Sequence, residues 1–205
     1  MNIHLLSIGN RMPRWVVEGY TEYARRLPGE CALKLQEIPP GHRGKGANIP
    51  RVLQDEGERM LKAIPKGCRV IALDVKGKAW STEQLSSKLA RWMAAGSDLA
   101  LLVGGPEGLH EACLERADGR WSLSTLTLPH PLVRVVVAEQ LYRCLEAAET
   151  SVGEGDPDGL AEAISTARDG WLVVMSTSRL PGLLPARAPA GPRITSRTSA
   201  GNPTI

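Results

Sequence analysis

Apolar and polar positions along the chain predict strands and helices in turn. Short apolar or alternating runs predict five strands, at residues 2–8, 32–38, 69–75, 99–103 and 123–128. Apolar residues at helical spacing predict a helix after each strand, over about 13–27, 50–64, 81–95, 107–117 and 131–147. This order predicts an α/β fold, with a mostly parallel five-stranded sheet and helices on both of its faces.

The regular pattern weakens in the last third of the chain. Residues 144–205 contain no Lys, seven Gly and six Pro. One helix over 158–168 and one strand over 171–175 are the elements expected there. From residue 176 the composition of Ser, Thr, Arg, Pro, Ala and Gly is typical of a disordered segment. We therefore expect one domain over 1–147 and an atypical tail over 148–205, disordered from 176.

Composition and charge narrow the class of protein. Of 205 residues, 42% are hydrophobic and 23% charged, as in an ordinary soluble domain. No apolar run is long enough to cross a bilayer, and the first residues lack the pattern of a signal peptide, so a cytoplasmic location is expected. Residues 1–143 hold 20 Lys and Arg against 15 Asp and Glu, a net +5 that makes a polyanionic partner plausible.

The four cysteines are predicted to be buried, reduced thiols. Cys31, Cys68, Cys113 and Cys144 are scattered, without a CxxC pair. This spacing matches neither a zinc site nor a disulfide framework, so no metal is expected.

The sequence following the fourth strand suggests a ligand site. The predicted strand ending at Val103 runs into Gly104-Gly105-Pro106-Glu107-Gly108. Glycines there let a ligand approach the backbone, and parallel sheets bind ligands at this edge. The spacing fits neither the dinucleotide fingerprint nor the P-loop. The alternative interpretation is a tight strand-to-helix turn.

The segment between Leu123 and Arg134 adds polar groups at the same edge. Ser124, Thr125 and Thr127 alternate with leucines, either as an ordinary strand or as backbone that reads a heterocycle. His130 stands between two prolines that restrict its backbone, and it is a candidate base or substrate contact. Arg134 follows one helical turn later and could bind a phosphate or a base. The alternative for His130 is a loop histidine without a functional role. The alternative for Arg134 is an ion pair on the helix surface.

A loop before the second helix carries the densest group of basic residues. His42, Arg43, Lys45 and Arg51 lie within ten residues of one another. Contact with an RNA backbone and a simply solvated loop are equal alternatives.

Nine stretches in this order resemble one family. They are Arg11–Val16, Tyr20–Tyr23, Glu37–Pro39, Arg43–Lys45, Asp55–Glu58, Leu73-Asp74, Gly77–Trp80, Val103–Leu109 and Leu126–Arg134. They are spread along the region 1–143, between Arg11 and Arg134. This region resembles the bacterial large-subunit (23S) ribosomal RNA pseudouridine N3-methyltransferases, which are small SPOUT methyltransferases of the trefoil-knot class.

The resemblance implies a knotted α/β fold and a methyltransferase that works in the cytoplasm. It implies S-adenosylmethionine as cofactor, the large-subunit rRNA of the ribosome as partner, and a homodimer packed through the knot. Membrane and metal partners are not expected. The family's cofactor pocket maps onto Leu73, Gly104, Leu123, Ser124, Thr125, Leu126, Thr127 and Leu128. His130 and Arg134 then become the catalytic candidates.

The chain departs from the family's pattern at Cys144. The family characteristically ends in His-Pro-Tyr-His-Arg, residues that approach the substrate base, and residues 144–205 contain no such ending. The break predicts a frameshifted or otherwise replaced C-terminus. The alternative function is therefore an impaired ribosome-, RNA- or cofactor-binding protein.

Overall fold

Strands and helices alternate in the computed structural model, which describes residues 1–152, with side chains as far as Glu146. The strands are β1 Ile3–Ile8, β2 Leu33–Ile38, β3 Arg69–Ala79, β4 Leu99–Val103 and β5 Gly119–Ser122. The helices are α1 Arg14–Ala24, α2 Ile49–Ala63, α3 Thr82–Ala94, α4 Glu111–Arg116 and α5 His130–Val152. A short 3₁₀ turn, Gly29–Cys31, leads into β2.

The five strands form one parallel sheet in the order β2-β1-β4-β3-β5. The predicted α/β fold with a five-stranded sheet is confirmed, and every pairing in this sheet is parallel. All carboxyl ends of the strands therefore meet along one edge. β4 lies in the middle, and each of its five residues is buried, as expected for a strand covered on both faces.

Alternate strand residues supply two separate cores. On one face, Ile3 and Leu5 of β1 pack with α1, α3 and α5. On the other face, Leu6 and Ile8 of the same strand pack with α2 and α4. This period of two follows from the pleat, which points successive side chains to opposite faces.

The prediction of a fifth strand over Leu123–Leu128 is wrong. The strand ends at Ser122, whose pairing partner Ala79 is also the last residue of β3. β5 is an edge strand with β3 as its neighbour, so residues 123–128 have no strand to pair with. Their backbone is fastened locally instead: Ser122 Oγ donates to Ser124 O at 2.9 Å, and Leu126 N donates to Ser124 Oγ at 2.9 Å.

The start of α4 and the end of α5 differ most from the predicted helix boundaries. α4 begins at Glu111 rather than near 107, because residues 105–108 form a turn and His110 Nδ1 caps the helix by accepting from Ala112 N at 3.2 Å. α5 continues to Val152, past the predicted boundary at 147. Cys144 and Leu145 of this helix are buried in the core. The helix predicted at 158–168, the strand at 171–175 and the disorder predicted from 176 lie outside the described residues.

Within the described residues, no helix is both long and apolar enough to cross a membrane. The four cysteines are free and buried, as predicted.

The capping box at the start of α3 provides a test of the local structure. Ser81 Oγ accepts from Gln84 N at 3.2 Å, while Gln84 Oε1 accepts from Ser81 N at 3.2 Å. Ser81→Ala should therefore lower the free energy of unfolding by about 1 kcal/mol. Urea unfolding with an unchanged slope measures this. Ser87→Ala, an exposed position inside the same helix, is the matched control and should be neutral or slightly stabilising. Equal effects of the two changes would contradict the cap assignment.

Candidate active site

A cavity of about 740 Å³ opens at the carboxyl edge of β3, β4 and β5. Its size is in the range of small-molecule sites. The wall includes Leu73 and Val103 from the sheet, the loop Gly104–Leu109, and Glu111 and Leu114 of α4. The segment after β5 and the start of α5 close the other side of the cavity, with Leu123, Ser124, Leu126, Thr127, Leu128, His130 and Val133.

A bulge in β3 forms one wall of this cavity. The pairing of β3 with β5 shifts register between Leu73 and Lys78, so the intervening residues leave the ladder. Asp74 Oδ1 accepts from Lys76 N at 3.2 Å and closes the bulge. A Cβ on Gly77 would lie 2.8 Å from the backbone of Trp121, so β3 returns to its neighbour only because this residue is glycine.

Gly104 makes the adjoining loop possible. A Cβ at this position would lie 2.3 Å from the backbone carbon and oxygen of Gly108. The loop therefore folds back on its own start, and Gly108 N donates to Gly105 O at 3.0 Å. The glycine is needed for this self-contact, which agrees with the tight-turn interpretation and also shapes the cavity.

The predicted cofactor residues fall around the cavity with one exception. Leu73, Gly104, Leu123, Ser124, Leu126, Thr127 and Leu128 line it, whereas Thr125 is exposed and outside the lining. Leu126 is 72% exposed, which leaves a large apolar side chain available for a ligand or a partner. The structure therefore brings seven of the eight residues together.

His130 begins α5 at the cavity wall. Its Nε2 lies 3.5 Å from the point where a Cβ of Gly9 would stand, close to the end of β1. Burial first, and then the positive charges of Arg134 and Arg43, lower the pKa of His130 below 6.5. The imidazole is therefore neutral at pH 7 and has a nitrogen lone pair that can accept a proton.

Arg134 lies outside the cavity and is buried under the sheet edge. Its Nε donates to Ser7 Oγ at 3.1 Å, its Nη1 to Glu37 Oε1 at 2.6 Å, and its Nη2 to Gly9 O at 2.6 Å. Its side chain is 2% exposed. These bonds hold α5 against the ends of β1 and β2, and they leave the guanidinium little freedom to reach a substrate.

The basic loop divides into two kinds of residue. His42, Lys45 and Arg51 are exposed. Arg43 instead binds two carboxylates: Nη1 lies 2.8 Å from Glu56 Oε1, and Nη2 lies 2.8 Å from Glu107 Oε2. Hydrogen bonds to Glu56 and then to Glu107 raise the pKa of Arg43, and the bond from Arg43 lowers the pKa of Glu107. Arg43 is therefore a paired structural cation.

Sequence reasoning missed several residues of the cavity wall. Val75, Lys76 and Arg120 were not singled out, and Asp74 and Glu107 were named only as parts of their segments, although all five line the cavity. The change from an apolar run to charged residues with a glycine, Asp74-Val75-Lys76-Gly77-Lys78, is a sequence signal that could have indicated the bulge. Trp121 also lines the cavity, and its buried Nε1 has no hydrogen-bond partner in the described part of the chain. Across residues 1–152, no cluster of His, Cys, Asp or Glu could hold a metal ion.

Comparison with known proteins identifies the class. The family model "Predicted SPOUT methyltransferase" matches residues 1–151, which is most of the chain. The protein therefore belongs to the SPOUT methyltransferase family. The knot that the resemblance implies stays a prediction.

Individual relatives bear one common name. Proteins called ribosomal RNA large subunit methyltransferase H are 62% identical in Thioalkalivibrio sulfidiphilus, 59% in Methylococcus capsulatus and 55% in a Marinomonas species. Each match spans 143 residues, 70% of this chain and 92% of the relative. A solved structure titled as a probable methylase family protein from Haemophilus influenzae has a TM-score of 0.45 at 14% identity, covering 78% of this chain and 74% of its own.

Gly104→Ala tests the construction of the glycine loop. The added methyl group overlaps the Gly108 backbone, so the turn must open, at a cost of about 1–3 kcal/mol in the free energy of unfolding. Urea unfolding measures the change. Gly29→Ala is the control, because a Cβ there meets no atom within 4 Å. A loss as small as that of the control would show that the loop does not need this glycine.

The lowered pKa of His130 predicts a pH dependence of stability. Because the folded state binds this proton less readily than the unfolded state, the stabilising contribution is complete above pH 6.5. It is lost as the pH falls through the folded-state pKa. His130→Gln should flatten the unfolding free energy over that acidic window. An NMR titration of His130 with a midpoint at or above 6.5 would contradict the assignment.

Proposed function

We propose that this protein transfers a methyl group from S-adenosylmethionine to N3 of a pseudouridine in large-subunit ribosomal RNA. The observation that carries the proposal is the cavity at the carboxyl edge, built from the same stretches that resemble the family. The names of relatives 55–62% identical over 143 residues support ribosomal RNA as the substrate class.

The cavity suits S-adenosylmethionine in size and in chemistry. Leu73, Leu123, Leu126 and Leu128 offer an apolar surface for an adenine ring. Carboxylates at Asp74 and Glu111 can face an ammonium group, while Lys76 and Arg120 can face a carboxylate. When bound, the cofactor supplies an activated methyl group, so the protein contributes mainly binding and orientation.

His130 is the proposed base for the substrate. N3 of pseudouridine carries a proton that must leave as the new carbon–nitrogen bond forms. A neutral imidazole at the cavity wall can accept that proton, and its lowered pKa keeps it unprotonated at pH 7. Arg134 then acts indirectly: its buried charge helps to lower the pKa of His130, and its bonds fix the helix that carries the imidazole.

Contacts with RNA are proposed for the exposed basic residues near α2. His42, Lys45 and Arg51 present their side chains to solvent, where phosphate groups can reach them. Arg43 is left out, because its guanidinium already binds Glu56 and Glu107.

A homodimer in the cytoplasm completes the proposal. α1 packs against α5, and α1 leaves Trp15 and Val17 more than half exposed. A second copy that covers these side chains would remove their apolar surface from water. The proposed ribosomal substrate supports the cytoplasm as the location.

A second candidate is a cofactor- or ribosome-binding protein without activity. Residues 144–205 lack the His-Pro-Tyr-His-Arg ending, and the curated relatives are matched over 92% of their length. The absence of that ending supports the impaired protein as the alternative, and the nine shared stretches argue against an unrelated function.

The deciding experiment is transfer of labelled methyl to ribosomes that carry the pseudouridine without its methyl group. The full chain is compared with a version in which the family ending replaces the residues after Arg143. Label from the full chain supports the enzyme. Label from the repaired chain alone supports the impaired binder. If neither version transfers label although each is folded and binds the cofactor, the proposal is contradicted.

His130→Gln tests the base in whichever version transfers label. Loss of the proton acceptor should lower kcat by about 10²- to 10⁴-fold. His4→Gln is the control, because His4 lies on β1 near the amino end of the strand, at the opposite edge of the sheet. An unchanged kcat in His130→Gln would exclude the imidazole as the base.

A further inference from the structure

Arg43 connects the loop after β2 to two other segments. Its Nη1 and Nη2 donate to Glu56 Oε1 and Oε2 of α2 at 2.8 and 3.0 Å. Its Nε and Nη2 both donate to Glu107 Oε2, at 2.9 and 2.8 Å. Glu107 belongs to the glycine loop that lines the cavity. One guanidinium therefore joins α2 to the cavity wall.

The Glu56 end of this connection is fixed. Glu56 is 2% exposed, and its Oε1 also accepts from Gly41 N at 2.6 Å. A buried carboxylate of this kind needs its cation, so the guanidinium is held in place. A Cβ on Gly105 would lie 3.2 Å from Arg43 Nη2, so the guanidinium also lies close to the backbone of the loop.

We propose that Arg43 is a positioning residue for the cofactor cavity and holds the loop Gly104–Leu109 in its binding shape. This inference rests on the proposed function, since it takes the cavity as the site of the methyl donor. The loop's contact between Gly104 and Gly108 sets its turn, and Arg43 sets where that turn stands relative to α2.

The geometry requires arginine at this position. A planar guanidinium has separate N–H groups for each carboxylate, whereas a lysine ammonium is a single compact charge. Glu107 is one-third exposed, so its half of the network adds little to global stability. Glu107→Gln therefore weakens the loop's attachment while leaving the buried pair with Glu56 in place.

The test measures the dissociation constant of S-adenosylhomocysteine by calorimetry on the full chain. The variants are Arg43→Lys, Glu107→Gln and the two together. Glu107→Gln should raise Kd about two- to fivefold, as expected for the loss of one partly exposed ion pair, and Arg43→Lys should raise it at least as much. The double variant should bind no more weakly than Arg43→Lys, because both changes break the same contact. Stoichiometry should stay constant, since a misfolded fraction lowers the stoichiometry and leaves Kd unchanged.

Arg91→Met is the control, an exposed arginine of α3 whose Nε donates to Ser87 O of its own helix. It should bind with the original Kd. Unchanged Kd values in Arg43→Lys and Glu107→Gln would overturn the inference, as would fully additive effects. Weaker binding in Glu107→Gln combined with unchanged binding in Arg43→Lys would also overturn it, since Glu107 would then contact the ligand directly. No binding by the unaltered chain would overturn the proposed function and, with it, this inference.

Discussion

One buried guanidinium decides where the last described helix lies. Arg134 of α5 reaches under the sheet edge to Ser7, Gly9 and Glu37, and thereby joins the helix to the ends of β1 and β2. Removing this side chain would leave buried backbone and side-chain polar groups without a hydrogen-bond partner, which lowers the free energy of unfolding. His130 stands one turn earlier on the same helix, so the position of the proposed base follows from this anchor.

Much of the fold follows from hydrophobic period alone. β4 was predicted with its observed bounds, and the capping box at Ser81 starts α3 as expected. The prediction of the fifth strand was wrong because the alternation of apolar and polar residues also occurs in a loop. Whether Leu123–Leu128 pairs depends on where β3 ends, and that is a long-range fact. The bulge after Leu73 is equally non-local, since it depends on the close approach of Gly77 to Trp121.

The site was predictable in its location more than in its roles. Residues at the carboxyl ends of parallel strands meet by geometry, so Leu73, Gly104 and the leucines near β5 converge as expected. The roles of Arg43 and Arg134 depend on partners that are distant in the chain. A sequence displays a positive charge, but it does not display the carboxylates that Glu56 and Glu37 bring from distant segments. Because of these partners, both arginines connect segments of the fold and are not free to contact a ligand.

Hydrogen exchange measures whether the cavity beside the glycine loop binds the methyl donor. The full chain is compared with and without S-adenosylmethionine, and amide exchange is followed by segment. Binding in the cavity should slow exchange in residues 104–109 and 123–128 and leave β2 unchanged, because the residues of β2 lie outside the cavity. Exchange that stays the same in both segments, or slows only around residues 39–55, would contradict it.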